Sequence, residues 1–278
     1  MDPERLIKLA LEEDLGDGDH TSLATIPAGT RGRARLLIKE KGILAGMEVA
    51  RKVFKELDKG IQMKCFLQDG NAINPGDVAF VIEGKVHSIL SGERLALNYM
   101  QRMSGIATFT HKVSSQLKGL NTRILDTRKT TPNMRYFEKE AVRTGGGFNH
   151  RMGLYDMIMI KDNHIDFAGG IEAAVKSVHK YLDKQNKKLG IEIEVRSFDE
   201  LHEVLSIGKV DRIMLDNFDP EDLRKAVEII DGRYETEASG GITIGEVRKY
   251  AETGVDYISI GALTHQINSL DMSLKAIN

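Results

Sequence analysis

Apolar and polar residues alternate in two different rhythms along the 278-residue chain. In the first hundred residues Asp2 and Pro3 form a helix-start signal, and Leu6, Ile7, Ala10 and Leu11 supply one apolar face. Short β-like runs follow at Ala34 to Ile38, Ile61 to Leu67 and Val78 to Ile82. Turn chemistry at Asp69-Gly70-Asn71 and Asn74-Pro75-Gly76-Asp77 bounds the later runs. A helix is expected from Met47 to Leu57, and a long one starting near Ser91 and Glu93 leads out of this α+β layer. The segment Asp17-Gly18-Asp19-His20 lacks the rest of a calcium-loop pattern and reads as a turn.

From Asn121 onward the rhythm is strand, loop, helix, repeated. The strand-like runs are Thr122–Leu125, Met157–Ile160, Ile191–Val195, Arg212–Leu215, Tyr234–Ala238 and Tyr257–Ile260. Helices between them start at Ser197-Phe198-Asp199-Glu200, at Asp219-Pro220-Glu221-Asp222 and at Thr243-Ile244-Gly245-Glu246. Strands joined by helical crossovers pair in parallel, so this part is an α/β fold, either a β/α barrel or a doubly wound sheet.

Composition changes the picture in three ways. With 41% hydrophobic and 29% charged residues the chain has the balance of a globular protein rather than a disordered one. A net charge of −2 leaves no global basic field, so neither nucleic acid nor membrane is expected as a partner. A single cysteine, Cys65, excludes an internal disulfide and a cysteine-based zinc site. The acidic start Met1-Asp2-Pro3-Glu4 has no apolar signal core behind it, and the expected compartment is the cytoplasm.

The chemistry lies at the ends of the strand-like runs. In a parallel α/β fold the carboxyl ends of the strands share one side, where ligands bind. Those ends carry Asp126-Thr127-Arg128-Lys129, Lys161-Asp162-Asn163-His164, Glu194, Asp216-Asn217, Ser239-Gly240-Gly241 and Gly261 through His265. Arg128, Lys129, Arg143, His150, Arg151 and Lys161 concentrate positive charge in a near-neutral protein, and Arg102 precedes them. Such a set suits a small ligand with several negative charges, since arginine forks onto carboxylates and phosphates and lysine supplies point charge. The glycine pairs at the last two strand ends suit a phosphate, because backbone N–H groups can approach it closely there. Glu194 and Asp216 end buried strands, where a carboxylate needs an ion pair, a metal or ribose hydroxyls. His164 and His265 are further candidates at strand ends.

The segments Arg102-Met103-Ser104-Gly105-Ile106-Ala107-Thr108, Asp126 through Pro132, Gly145-Gly146-Gly147-Phe148-Asn149-His150-Arg151 and Ile160 through His164 resemble the quinolinate phosphoribosyltransferase family. Glu194-Val195, Met214-Leu215-Asp216-Asn217, Glu237-Ala238-Ser239-Gly240-Gly241 and Ser259-Ile260-Gly261 follow in the same order, so the resemblance covers nearly the whole chain. It implies an N-terminal α/β sandwich domain over residues 1–109 and an incomplete parallel β/α barrel over residues 110–265, with the tail 266–278 returning to the first domain. It implies transfer of a phosphoribosyl group from phosphoribosyl pyrophosphate to quinolinate with decarboxylation, aided by Mg²⁺. By the same resemblance Arg128, Lys129, His150, Arg151 and Lys161 hold quinolinate, and Arg102 reaches the site across a homodimer interface. Glu194 and Asp216 serve the ribose and Mg²⁺, while Ser239, Gly240 and Gly261 hold the 5′-phosphate with His265 nearby. Lys129 or Lys161 is expected to stabilise or protonate the ring carbanion left by carbon dioxide. Asn133, where the family often has Gly, and Glu140, where an apolar residue is common, depart from the pattern and bear on loop shape.

Three rival readings share the fold: an enzyme using a monocarboxylate such as nicotinate, a relative recruited to metal-transport operons, and a non-catalytic sensor of phosphorylated ribose. The dense cation set argues against a monocarboxylate. The carboxylates Glu194 and Asp216 argue against a sensor.

Overall fold

A computed structural model describes residues 2–277. Helix α1 (Pro3–Leu15) is capped by Asp2, whose side chain accepts from the Glu4 N–H, and it buries Ile7 and Leu11. The expected turn spans Gly16 to Asp19, and helix α2 (His20–Thr25), which the sequence reading did not include, follows it: Asp19 caps it, accepting from the N–H of Ser22 and from the Ser22 hydroxyl. Strand β1 (Arg31–Ile38), β2 (Gly42–Ile43), α3 (Met47–Leu57), β3 (Gln62–Cys65), β4 (Ala72–Ile73) and β5 (Val78–Lys85) follow. Helix α4 (Val86–Ser114) starts directly after β5, five residues before Ser91. At 29 residues it is about 43 Å long.

The chain then forms β6 (Arg123–Leu125), α5 (Arg135–Thr144), β7 (Ile158–Ile160), α6 (Asp162–Ala168), α7 (Ile171–Gln185) and β8 (Ile191–Val195). It continues through α8 (Phe198–Ile207), β9 (Arg212–Asp216), α9 (Pro220–Ile230), β10 (Glu235–Ser239) and α10 (Val247–Ala251). It ends with β11 (Tyr257–Ser259), α11 (Ala262–His265) and β12 (Met272–Ile277).

Two compact units result. Residues 1–111, 130–146 and 262–278 form the first, and residues 112–129 and 147–261 the second. The first unit contains an antiparallel sheet in the order β12-β1-β5-β3, so the C-terminal strand pairs with β1. Segment 130–146, placed with the barrel by the sequence reading, groups with the first unit. Gly145 lies so close to α4 that a Cβ there would meet the Ala107 carbonyl and come within 2.7 Å of the Thr110 Cβ.

The second unit holds six parallel strands in the order β6-β11-β10-β9-β8-β7. Each of β7 to β11 neighbours the next in sequence, and β11 then pairs with β6. There is no point at which the order reverses, which separates this sheet from a doubly wound one. Six strands in this cyclic order, with no ladder joining β6 and β7, form an incomplete barrel.

Side chains alternate across a strand, so the barrel interior receives Glu192 and Glu194 from β8, Arg212, Met214 and Asp216 from β9, and Glu237 and Ser239 from β10. The opposite faces, with Ile191, Ile193, Ile213, Leu215 and Ala238, are buried. Helices α7, α8 and α9 present apolar stripes, including Val175, Leu201, Val204, Leu223 and Ala226. Ser197 and Asp219 cap α8 and α9 as expected. The segment from Thr243 forms a turn, and α10 begins only at Val247.

Candidate active site

A cavity of about 210 Å³ opens at the carboxyl ends of the barrel strands. Its cationic wall consists of Arg128, Lys129, His150, Arg151 and Lys161, with Ser239 on another side. Thr127, Met159, Met214, Glu237 and Ser259 also line it and were not singled out in the sequence as site residues. The two methionines give it an apolar surface suited to the face of a small ring.

Each cation has a local reason for its position. Arg128 and Lys129 follow β6 and are exposed. Asp126, fully buried at the end of β6, accepts from the His150 N–H at 2.8 Å and from Asn149 Nδ2 at 2.5 Å. Phe148 forms a parallel bridge with Leu125, which carries the loop alongside β6. Arg151 Nη1 donates to the Met157 carbonyl at 3.3 Å. Burial, and then the positive charge of Arg128, weaken the hold of Arg151 on its proton. Cations that repel in this way favour a ligand carrying more than one negative charge.

Lys161 follows β7 and lies 2.9 Å from Glu194 Oε2. Glu194 is therefore buried and ion-paired. Asp216 is half-buried at the end of the adjacent strand β9 and accepts from Asn217 Nδ2 at 2.6 Å. Two carboxylates on neighbouring strand ends fit Mg²⁺, which commonly takes one or two protein carboxylates and completes its shell with phosphate and water oxygens.

Gly240 has φ +104°, and a Cβ there would collide with the Asn217 side chain and come within 2.7 Å of its backbone nitrogen. Gly241 (φ +61°) and Asn217 (φ +59°) are also left-handed. This turn has to be glycine-rich, and it leaves the backbone open to a phosphate. Gly261 ends the second unit. Glu194, Asp216, Gly240 and Gly261 do not line the cavity itself.

Arg102, Arg143 and His265 belong to the first unit. Arg102 forks onto the buried Glu138, with Nη2 at 2.9 Å from Oε1, and also donates to the Thr264 carbonyl at 2.6 Å. His265 is exposed on α11, and Arg143 is exposed and ion-paired to Glu140. His164 is turned back onto its own helix start, where Nδ1 accepts from the Lys161 N–H.

Beneath the cavity is a charged layer that sequence reasoning missed. His150 Nε2 lies 2.8 Å from Glu192 Oε2 and 3.3 Å from Glu237 Oε2, and both carboxylates are fully buried. Arg212 bridges Glu237 at 3.2 Å and Glu235 at 2.8 Å, and stacks 4.2 Å from the centre of the Tyr257 ring. Burial opposes charging of the His150 ring, but the Glu192 and Glu237 contacts outweigh it and push its pKa up to about 9. The Arg151 N–H donates to Nδ1 at 2.7 Å, which favours a ring holding its proton on Nε2 and works against that rise. Burial, aided by the charge of Glu237, pushes Glu192 up to about 7. At Glu237 burial is overcome by His150, Ser259 and Arg212, which hold it below the usual carboxylate value. The ligand atoms of His150, Glu192 and Glu237 are close enough together to bind a metal. Arg212 and the imidazole already supply the positive charge this pair of carboxylates requires. The signal was present in Ile191-Glu192-Ile193-Glu194, where charge alternates with apolar residues inside a strand, and in Glu237-Ala238, where a charge stands inside the next strand but one.

An incomplete parallel barrel with a cation-lined cavity at its strand ends defines an α/β enzyme class that handles anionic substrates. The comparisons with known proteins specify it further. Residues 19–104 match the N-terminal domain of quinolinate phosphoribosyl transferase and residues 106–275 match its C-terminal domain. The chain belongs to the quinolinate phosphoribosyl transferase family.

Quinolinate phosphoribosyltransferase [decarboxylating] 1b of Nicotiana tabacum is 46% identical over 289 aligned positions, covering 99% of this chain and 82% of the relative. The probable nicotinate-nucleotide pyrophosphorylase [carboxylating] of Bacillus subtilis is 41% identical, covering 98% and 92%. A crystal structure of NadC from Streptococcus pyogenes superposes with a TM-score of 0.92 at 37% identity, covering 100% and 99%.

Proposed function

We propose that this protein transfers the phosphoribosyl group of phosphoribosyl pyrophosphate to quinolinate and releases pyrophosphate and carbon dioxide, giving nicotinate mononucleotide for NAD biosynthesis. The observation that carries this reading is the cationic wall of Arg128, Lys129, Arg151 and Lys161 around a small cavity, in a chain of this family. Quinolinate brings two carboxylates to that wall, and Met159 and Met214 meet its ring. Ser239, Gly240 and Gly261 are assigned to the sugar 5′-phosphate.

Arg128 and Arg151 orient the dicarboxylate so that the pyridine nitrogen faces the anomeric carbon. The nitrogen lone pair forms the new C–N bond as the bond to pyrophosphate breaks. Glu194 and Asp216 would hold Mg²⁺, which when bound neutralises charge on the leaving pyrophosphate. The 2-carboxylate then departs as carbon dioxide, its bonding pair remains on the ring carbon beside the pyridinium nitrogen, and Lys129 or Lys161 delivers a proton there.

We assign the active form as a homodimer, with Arg102 supplied by the partner copy and His265 near the phosphate. No helix among the described residues is long and apolar enough to cross a membrane. We assign it to the cytoplasm and, on its near-neutral net charge, expect neither membrane nor nucleic acid as partner. Quinolinate labelled in its 2-carboxylate tests the reaction. The expected result is labelled carbon dioxide in equal amount to nicotinate mononucleotide, dependent on Mg²⁺. Absence of both from folded protein overturns the assignment, and decarboxylation surviving in a Lys129→Met, Lys161→Met double variant overturns the lysine role.

A further inference from the structure

His150 lines the cavity, yet both of its ring nitrogens face groups of the protein. Nε2 is sealed against Glu192 and Glu237, and Nδ1 faces the N–H of the next residue, Arg151. The backbone around the ring is clasped on both sides. Asp126 takes the His150 N–H and the Asn149 amide before Arg151, and Asp156 accepts from the N–H groups of Met152 and Gly153 after it. Arg151 is thus the cavity cation whose direction depends on how this short loop is seated. The ring of His150 is the third fixed point, and the two glutamates determine where that ring lies.

We propose that Glu192 and Glu237 are positioning residues for quinolinate, acting through His150: they draw its Nε2 into the barrel interior and so seat the backbone that aims Arg151 at the cavity. On this account His150 itself is a positioning residue and not a carboxylate ligand. This rests on the quinolinate reading of the cavity and refines it. Glu192 is the more telling of the pair, because Glu237 also serves Arg212 and Ser259 while the contact of Glu192 at ion-pair distance is His150.

The experiment uses the full-length protein and compares wild type with Glu192→Ala, Glu192→Gln and His150→Gln. KM for quinolinate and for phosphoribosyl pyrophosphate are measured separately, and calorimetry follows binding of phthalate, a dicarboxylate without the ring nitrogen. Misaiming one cation should raise the quinolinate KM of Glu192→Ala by about tenfold or more, and weaken phthalate to match. KM for phosphoribosyl pyrophosphate should stay within about twofold. Glu192→Gln, which keeps an oxygen facing Nε2, should recover most of the loss, and His150→Gln, which keeps a nitrogen donor of similar reach, should lose less than Arg151→Ala. Equal rises in both KM values, or an unchanged quinolinate KM in folded Glu192→Ala, overturn the proposal. If Glu192→Ala does not fold, Glu192→Asp decides it by the same two KM values, because its carboxylate is withdrawn from the ring. A wild type that turns over no quinolinate counts against the activity itself, whereas an active wild type with unselective variants counts against the positioning role alone.

Discussion

The rim and the floor of the barrel use the same kinds of side chain to opposite ends. At the rim, Arg128 and Lys129 are exposed and Arg151 and Lys161 half-buried, Lys161 beside Glu194, so all four can be reached by an incoming anion. On the floor, the buried Glu192, Glu237 and His150 and the largely covered Arg212 neutralise one another. Rim charge is presented to ligand because Arg128, Lys129 and Lys161 follow the ends of β6 and β7 and Arg151 sits in the loop between α5 and β7. Floor charge is committed to structure, since an isolated buried charge costs several kcal/mol. Position along a strand, two residues deeper or shallower, separates the two roles: Glu194 faces the rim and Glu192 the floor.

The sharpest way to break this distinction is to remove a floor charge. Glu237→Ala leaves His150 and Arg212 short of a partner, and the expected cost is about 3–5 kcal/mol of unfolding free energy by urea titration. A loss under 1 kcal/mol would show that the floor is not a paired layer. A rim change should act on substrate and spare the fold. Arg151→Ala is expected to lower kcat/KM for quinolinate by roughly 10- to 100-fold, with the urea midpoint nearly unchanged.

The phosphate side gives a third contrast, resting on backbone and not on charge. Gly240→Ala forces a left-handed residue against Asn217, and a strain of about 1–3 kcal/mol should appear as a raised KM for phosphoribosyl pyrophosphate. The smallest effect is one of pH. His150 has a folded pKa of about 9, above its ordinary value of 6.5, so its contribution is fully present below about pH 6.5 and is lost as pH rises through 9. The stability gap between wild type and His150→Gln should therefore narrow between pH 6 and pH 9.5, by something on the order of 1 kcal/mol, since the Arg151 amide opposes the charge. A gap independent of pH would place the neutral ring in the folded state.

Much of this was legible in residues with local signals. Asp2-Pro3, Ser197 and Asp219 announce helix starts through capping chemistry, and the alternating apolar runs locate all six barrel strands. Arg128, Lys129 and Lys161 were legible because they follow those runs directly, and Arg151 because it shares their window of positive charge. What escaped depends on contacts between distant segments. His150 meets Glu192 and Glu237 only after β8 and β10 are set beside the loop from Phe148 to Arg151, and no spacing in the chain encodes that meeting. Helix α2 was missed because its start, Asp19-His20, lies beside glycine-rich turn residues and the helix is six residues long.

The central claim is that the rim is built for two carboxylates, and its most direct test is the ratio of kcat/KM for quinolinate to that for nicotinate, measured with phosphoribosyl pyrophosphate and Mg²⁺ in excess. Four rim cations around one small cavity predict a preference for quinolinate of at least about a hundredfold. Comparable values, or faster use of nicotinate, would contradict the two-carboxylate reading while leaving the fold and the phosphate turn in place.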